Sequence, residues 1–247
     1  RRFTENARIL NIILMDGLVV YLLPTRLQDE GKDHFTLHAP DKGYILGQRG
    51  ARRYPSHGTR VELIQDGFRA QGVLSNFSAL SFGVTVRPDV PGSFRWFNAE
   101  SPSTIHFFRD EEIIFSASCR CVRQTTDQDR REIIFAPTTS QMHRFLKKKL
   151  RNPRVRVTPL PNIAFSHPVT KKNIQLDIRD LSTSGFAVHV SAEEDVLMPG
   201  MIIPDLTMNF SGALKIRCKA QAIYRRVLKK SQLRYGFVIL DMDVVTY

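Results

Sequence analysis

What most limits the fold of this chain is the brevity of its apolar runs and the frequency of turn residues between them. Short or alternating runs occur at residues 61–64, 72–74, 82–86, 113–115 and 133–135 of the first half. The second half repeats the style at residues 155–157, 174–178, 186–190, 214–222 and 235–240. Such spacing predicts antiparallel barrels or sandwiches rather than βαβ units. A chain of 247 residues, 42% of them hydrophobic, is long enough for two small domains with cores of their own.

Two segments read as helices. Residues 5–15 put Ile9, Leu10, Ile13 and Leu14 on one face. The second runs from about Ser140 to Leu150, with Thr138 offering an N-cap oxygen and Gln141 three residues on, as in a capping box. Met142, Phe145, Leu146 and Leu150 form its apolar stripe, and Pro153 ends it. Because this helix falls between the two strand-rich halves, the expected division is 1–137, a helical linker at 138–153, and 154–247.

The halves also echo one another. Residues 75–86 read SNFSALSFGVTV and residues 179–190 read RDLSTSGFAVHV. Without a gap, Ser78 matches Ser182, Phe82 matches Phe186, and Val84 and Val86 match Val188 and Val190. Asn76 stands against Asp180, and Ser81 against Gly185. A duplicated module is the reading this supports.

Charge separates the halves. Residues 1–140 carry 18 Lys and Arg against 16 Asp and Glu, whereas residues 141–247 carry 18 against 8. Most of the chain's +12 formal charge therefore lies in the C-terminal part, which favours an anionic partner. Residues 141–156 hold Arg144, Lys147, Lys148, Lys149, Arg151, Arg154 and Arg156 with no acid. The lysines near the end of the expected helix also suit its dipole, which is reason enough for them without a ligand.

Other function classes find little support. Cys119, Cys121 and Cys218 cannot close a disulfide framework and sit beside no metal-ligating set, so they read as reduced thiols of a cytoplasmic protein. The apolar stretch at residues 9–23 is interrupted by Asn11, Asp16 and Gly17, too short and polar for a membrane span. No phosphate-binding glycine loop, nucleophile elbow or paired metal motif appears, and the seven histidines are scattered, so no catalytic residue and no metal site is expected. Trp96, with Phe94 and Phe97, reads as core.

The strongest local signal is Asp180-Leu181-Ser182-Thr183-Ser184-Gly185 followed by an alternating strand. In any protein this is a polar turn: Asp180 and Ser182 can bond its backbone, and Gly185 permits φ > 0. Preceded by a basic segment at 147–156, it resembles the PilZ domain family, whose signature is Arg-x-x-x-Arg, a strand, then [Asp/Asn]-x-Ser-x-x-Gly. Pro199-Gly200, the strand at 214–222 and the closing segment Tyr235-Gly236-Phe237-Val238-Ile239-Leu240 fit the same pattern, so the resemblance covers about residues 147–245. The second motif is intact at Asp180, Ser182 and Gly185. The first departs from the pattern: with Arg154 as its last arginine, Leu150 stands where the other belongs, and Lys147-x-x-x-Arg151 keeps only the spacing. Lysine lacks the planar fork of a guanidinium.

The resemblance implies a mainly β protein, with a PilZ-like N-terminal barrel of the flagellar-brake type and a C-terminal PilZ barrel joined by the helical linker. It implies cyclic di-GMP as ligand, held by Lys147, Lys149, Arg151, Arg154, Arg156, Asp180, Ser182 and Gly185. Arginine forks suit guanine O6 and N7 or a phosphate, and a carboxylate suits guanine's donor edge. Binding is expected to alter inter-domain packing and so engage an unidentified downstream protein in motility, virulence or envelope functions. Two alternatives stay open: a protein using the basic C-terminal half to bind nucleic acid, and a PilZ fold that has lost its ligand and serves as a protein-interaction module.

Overall fold

The computed structural model describes residues 11–16, 18–30, 34–86, 93–127, 130–138, 153–211, 214–229 and 231–246. These divide into two compact units, 1–53 and 54–247. The helix expected at 140–150 lies outside the described residues, as does the first part of the helix expected at 5–15.

In the first unit, β1 (Asn11–Met15), β2 (Val19–Pro24) and β5 (Tyr44–Gln48) form a three-stranded antiparallel sheet, and β3 (Leu27–Glu30) pairs with β4 (Phe35–Leu37). Asn11–Met15 is thus strand, not helix. The competing signal is the Asp16-Gly17 dipeptide between two apolar runs, a hairpin marker. Asp16 Oδ1 accepts from the amides of Leu18 and Val19 at 2.8 and 2.7 Å.

The second unit contains two closed six-stranded barrels. The first uses β7 (Arg60–Gln65), β8 (Phe68–Phe77), β9 (Phe82–Val86), β10 (Ser103–Arg109), β11 (Glu112–Asp127) and β12 (Arg130–Pro137), with the short β6 (Tyr54–Pro55) laid along β8. The second uses β13 (Asn162–Ser166), β14 (Asn173–Ser182), β15 (Gly185–Ser191), β16 (Ile202–Asn209), β17 (Leu214–Lys229) and β18 (Gln232–Thr246). Closure leaves neither barrel with a free edge to aggregate.

The two barrels have one topology. In the first the cyclic order is β7-β8-β9-β12-β11-β10, and in the second β13-β14-β15-β18-β17-β16, all antiparallel. The register agrees as well. Phe77 faces Phe82 and Asn76 faces Gly83, as Leu181 faces Phe186 and Asp180 faces Ala187. Each ladder slips at the same place, between Leu74 and Asn76 and between Ile178 and Asp180. The echo in the sequence is a structural repeat.

Alternation along these strands fills both cores. In the first barrel Phe107 stacks on Phe115 at 4.3 Å, and Phe82 meets Phe107 edge-on at 4.8 Å. In the second, Phe186 stacks on Phe237 at 4.8 Å. Phe94 and Phe97 are buried, and Trp96 packs against them and Phe68 from a half-buried position. Cys119 is buried and Cys121 half-buried, and burial raises both thiol pKa values.

The barrels are also joined to each other. Phe115 and Met201 form a β-bridge, the Ser116 amide donates to Gly200 O at 3.0 Å, and Gln221 Nε2 donates to Ser116 O and Gly200 O. Gly200 has φ +98, and a Cβ there would lie 2.7 Å from the Phe115 ring. One contiguous apolar cluster runs through both barrels. Among the described residues no helix is long and apolar enough to cross a membrane.

Candidate functional site

Asp180 lies just past the slip in the β14–β15 ladder, where one extra residue, Arg179, is accommodated. Bulges of this kind re-aim side chains without disturbing the core. Ile178 stays in the core at 2% exposure, and Asp180 comes to face Ala187.

The described end of the basic segment, residues 153–156, reaches this turn as a strap. Only Val155 of the expected strand at 155–157 pairs: its amide donates to Leu181 O at 2.9 Å, and the Leu181 amide returns a bond to Val155 O at 3.0 Å. That bridge sets Arg154 beside Asp180, with Nη1 2.5 Å from Oδ1. The strap repeats in the first barrel, where Tyr54 pairs with Phe77, the counterpart of Leu181.

A second guanidinium takes the other carboxylate oxygen. Arg234 of β18 donates through Nη2 to Asp180 Oδ2. Arg234 had no place in the sequence reading. Its only trace there is alternation: Leu233, Tyr235 and Phe237 are buried, which leaves Arg234 and Gly236 on the outer face. Gly236 is covered there by Tyr224, whose ring occupies the space a Cβ would need. His189 pairs across from Arg234. Its pKa is lowered, first by burial and then by Arg179 and Arg234, against an opposing pull from Asp180.

The remaining motif residues serve the turn itself. Ser182 Oγ donates to Gly185 O at 3.0 Å, and in the first barrel Ser78 Oγ makes the same bond to Ser81 O at 2.9 Å. Gly185 does not adopt a positive φ. It is required because a Cβ would sit 2.1 Å from Phe237 O of β18. Here the sequence expectation is corrected: contact with a neighbouring strand, not left-handed backbone, excludes a side chain at 185.

Of the expected site residues, the structure therefore brings together Arg154, Asp180, Ser182 and Gly185. Arg156 is exposed on the strap, one residue beyond the bridge. Lys147, Lys149 and Arg151 lie outside the described residues. Chemically, the arrangement is a carboxylate that is 15% exposed and held on each oxygen by one guanidinium N–H, with a third cation, Arg179, next to it in the chain. It offers an anion more positive than negative partners, and it offers a donor edge one carboxylate. Among the described residues no group of His, Cys, Asp and Glu could hold a metal ion.

No protein-family model matches the chain. No curated protein matches it. Several solved structures are similar at low identity. The c-di-GMP-dependent transcription regulatory factor MrkH overlaps at 13% identity, over 75% of this chain and 77% of its own, with a TM-score of 0.32. YcgR from Escherichia coli in complex with c-di-GMP overlaps at 14% identity, over 74% and 76%, with a TM-score of 0.33. The Bacillus subtilis inhibitor of motility MotI/DgrA overlaps at 12%, over 75% and 88%, with a TM-score of 0.32. Overlaps this distant add no weight to any site assignment.

Proposed function

We propose that this chain is a receptor for cyclic di-GMP, bound where the strap meets the second barrel. The observation that carries this reading is the Val155–Leu181 bridge, which seats the Arg154 guanidinium on the Asp180 carboxylate. Residues 26 apart in sequence are held in contact by a two-bond clip whose position follows the motif. In this reading Asp180 accepts from a guanine's N1–H and 2-amino edge, and Arg154 with Arg156 and Arg151 grips the phosphates and purine. Lys147 and Lys149 add charge, while Ser182 and Gly185 keep the turn in shape.

The energy is sufficient. Micromolar affinity corresponds to about −8 kcal/mol. Four or five charge-assisted hydrogen bonds of roughly 1.5–3 kcal/mol each, less the cost of ordering, reach that range.

We further propose that the signal leaves through the strap and the segment before it. The barrels are joined at Phe115, Gly200 and Met201, so a ligand that engages Arg154 shifts the strap more readily than the barrel contact. A downstream protein then recognises the altered strap, a population shift limited by the ligand's preference for one arrangement.

The nucleic-acid reading has a specific difficulty. Of the cations alternating on β17, Lys219 is paired with Glu112 at 2.7 Å and Arg217 stands across from Asp243 of β18, so that stripe is partly neutralised.

Titration calorimetry with cyclic di-GMP tests the proposal. Micromolar binding by the wild type, weakened at least tenfold in Asp180→Ala and Arg154→Ala, is the expected result. No heat at high micromolar ligand rejects the receptor. Binding of an unrelated DNA duplex that falls steeply with salt would favour the nucleic-acid reading instead.

A further inference from the structure

We infer that Arg234 is a ligand-binding residue of this site, working by exchange: the nucleotide's guanine edge replaces the Arg234 Nη2 contact on Asp180, and the freed guanidinium takes a phosphate. The inference rests on the receptor reading and extends it to a strand that the motif does not include.

Three observations lead to it. First, both Asp180 oxygens are already engaged, Oδ1 by Arg154 and Oδ2 by Arg234. A guanine's paired N–H donors reach that carboxylate in competition with the two guanidinium groups, since Asp180 is only 15% exposed and one cation already lies on each oxygen. The exchange loses no donor at the carboxylate, because the N1–H/2-amino edge of guanine presents a planar pair of donors where Arg234 supplies one N–H. Second, Arg234 Nε is buried without a hydrogen-bond partner, as is Arg179 Nε. A buried donor left unpaired is costly, and on a guanidinium it marks half of a fork with nothing to hold. A phosphate oxygen pair would satisfy Nε and Nη2 of Arg234 together. Third, the surroundings would tolerate the movement. Arg234 is flanked by His189 on β15 and Arg226 on β17, and its side chain is 30% exposed, so it has an outlet toward solvent.

Arg234 could instead simply hold Asp180 in place, and the test separates the two roles. Titrations would compare cyclic di-GMP with its inosine analogue, which keeps both phosphates, O6 and N7 but lacks the 2-amino donor. Wild type, Arg234→Ala, Arg234→Lys, Asp180→Ala and the neighbouring control Arg226→Ala are measured at one salt concentration, with thermal melts confirming folding. If Arg234 grips phosphate, Arg234→Ala weakens both ligands about 10- to 100-fold, in line with loss of a charge-assisted fork. The guanine-over-inosine preference persists, whereas Asp180→Ala abolishes it. Arg234→Lys keeps the charge without the fork, so it recovers only part of the affinity. Arg226→Ala binds as wild type does.

Wild-type affinity in Arg234→Ala would overturn the inference while leaving the receptor intact. So would a guanine preference that collapses in Arg234→Ala as it does in Asp180→Ala, because that outcome describes a residue which only positions the carboxylate. Absence of wild-type binding would reject the receptor and this extension with it.

Discussion

Acidification should loosen this protein through one buried imidazole. His167 has no solvent exposure and stacks on Phe77 of the first barrel at 5.6 Å. Its Nδ1 accepts from the amides of Val169 and Thr170 at 3.2 and 3.0 Å, and Nε2 lies 3.2 Å from Val196 O. Only the neutral ring with its proton on Nε2 satisfies all three contacts, because a proton on Nδ1 would point at two other donors. Burial lowers the pKa from 6.5 to about 4, against a smaller opposing effect of the bond to Val196. The unfolded chain therefore takes up a proton near pH 6.5 that the folded chain refuses until about pH 4. Stability is complete above 6.5 and declines as the pH falls from there toward 4, by about 3 kcal/mol in all. That is a large share of the roughly 5–15 kcal/mol that holds a typical domain folded. Urea midpoints at pH 7.5, 6, 5 and 4.5 check the point against His167→Asn, whose amide oxygen can still accept from the turn but cannot titrate. The wild type should lose more stability than the variant over that range. Parallel curves would show that His167 does not carry the linkage, and carboxylates, common to both proteins, would then account for the decline.

Four other outcomes follow from the geometry. Tyr235→Phe removes the hydroxyl that lies 2.5 Å from Asp195 Oδ1 and 2.7 Å from Leu197 O, and should cost about 1.5–3 kcal/mol in denaturant titration. Arg225→Met is more damaging, about 3–5 kcal/mol, since Asp195, at 2% exposure, loses its only guanidinium among the described residues. Gly185→Ala drives a Cβ into Phe237 O and should lower stability by about 1–3 kcal/mol while ligand affinity of the folded protein changes little, because the clash is with a strand. Val155→Pro deletes the donor to Leu181 O, so the Leu181 amide should lose hydrogen-exchange protection while the barrel core keeps its own; retained protection at Leu181 would mean that the strap is held by something other than the bridge.

The barrels were legible because period-two alternation and turn residues act locally. Nearly every expected strand of both halves is present, and the repeat at 75–86 and 179–190 falls on matching hairpins. Residues 11–15 misled because Ile13 and Leu14 suit a helix face as well as a strand, and pairing with Val19–Pro24, with Asp16 bonding the amides of Leu18 and Val19, decided between them. Arg154 and Asp180 could be paired from the motif, since chain order and spacing carry that information. Arg234 could not. Alternation tells which face it occupies, but its contact with Asp180 depends on β15 lying between β14 and β18, and no local pattern encodes that order. Gly185 was explained by the wrong cause for a similar reason: the atom that excludes its side chain belongs to Phe237, which is 52 positions away in the chain.

The repeated barrel separates the parts of the motif that serve the hairpin from the parts that carry charge. Ser78 and Ser182 make the same bond across the same turn, yet Ser81 stands where Gly185 does. Serine at this position is therefore a property of the hairpin, and its match to a family pattern says little about binding. What distinguishes the second barrel is charge. Asp180 replaces Asn76, and Arg234 occupies the register position held by Glu132, since His189 and Thr85 are equivalent partners. Converting Asn76 to Asp should accordingly fail to produce a second site. The new carboxylate would have Glu132 at the position that Arg234 takes in the other barrel, an acid where the chemistry calls for a fork. Calorimetry on Asn76→Asp in an Asp180→Ala background should register no cyclic di-GMP binding, and the double change Asn76→Asp with Glu132→Arg is the smallest one with a chance of restoring it. Binding by Asn76→Asp alone would mean that a carboxylate on this hairpin suffices without a cation at position 132, and would argue against a ligand role for Arg234 in the other barrel.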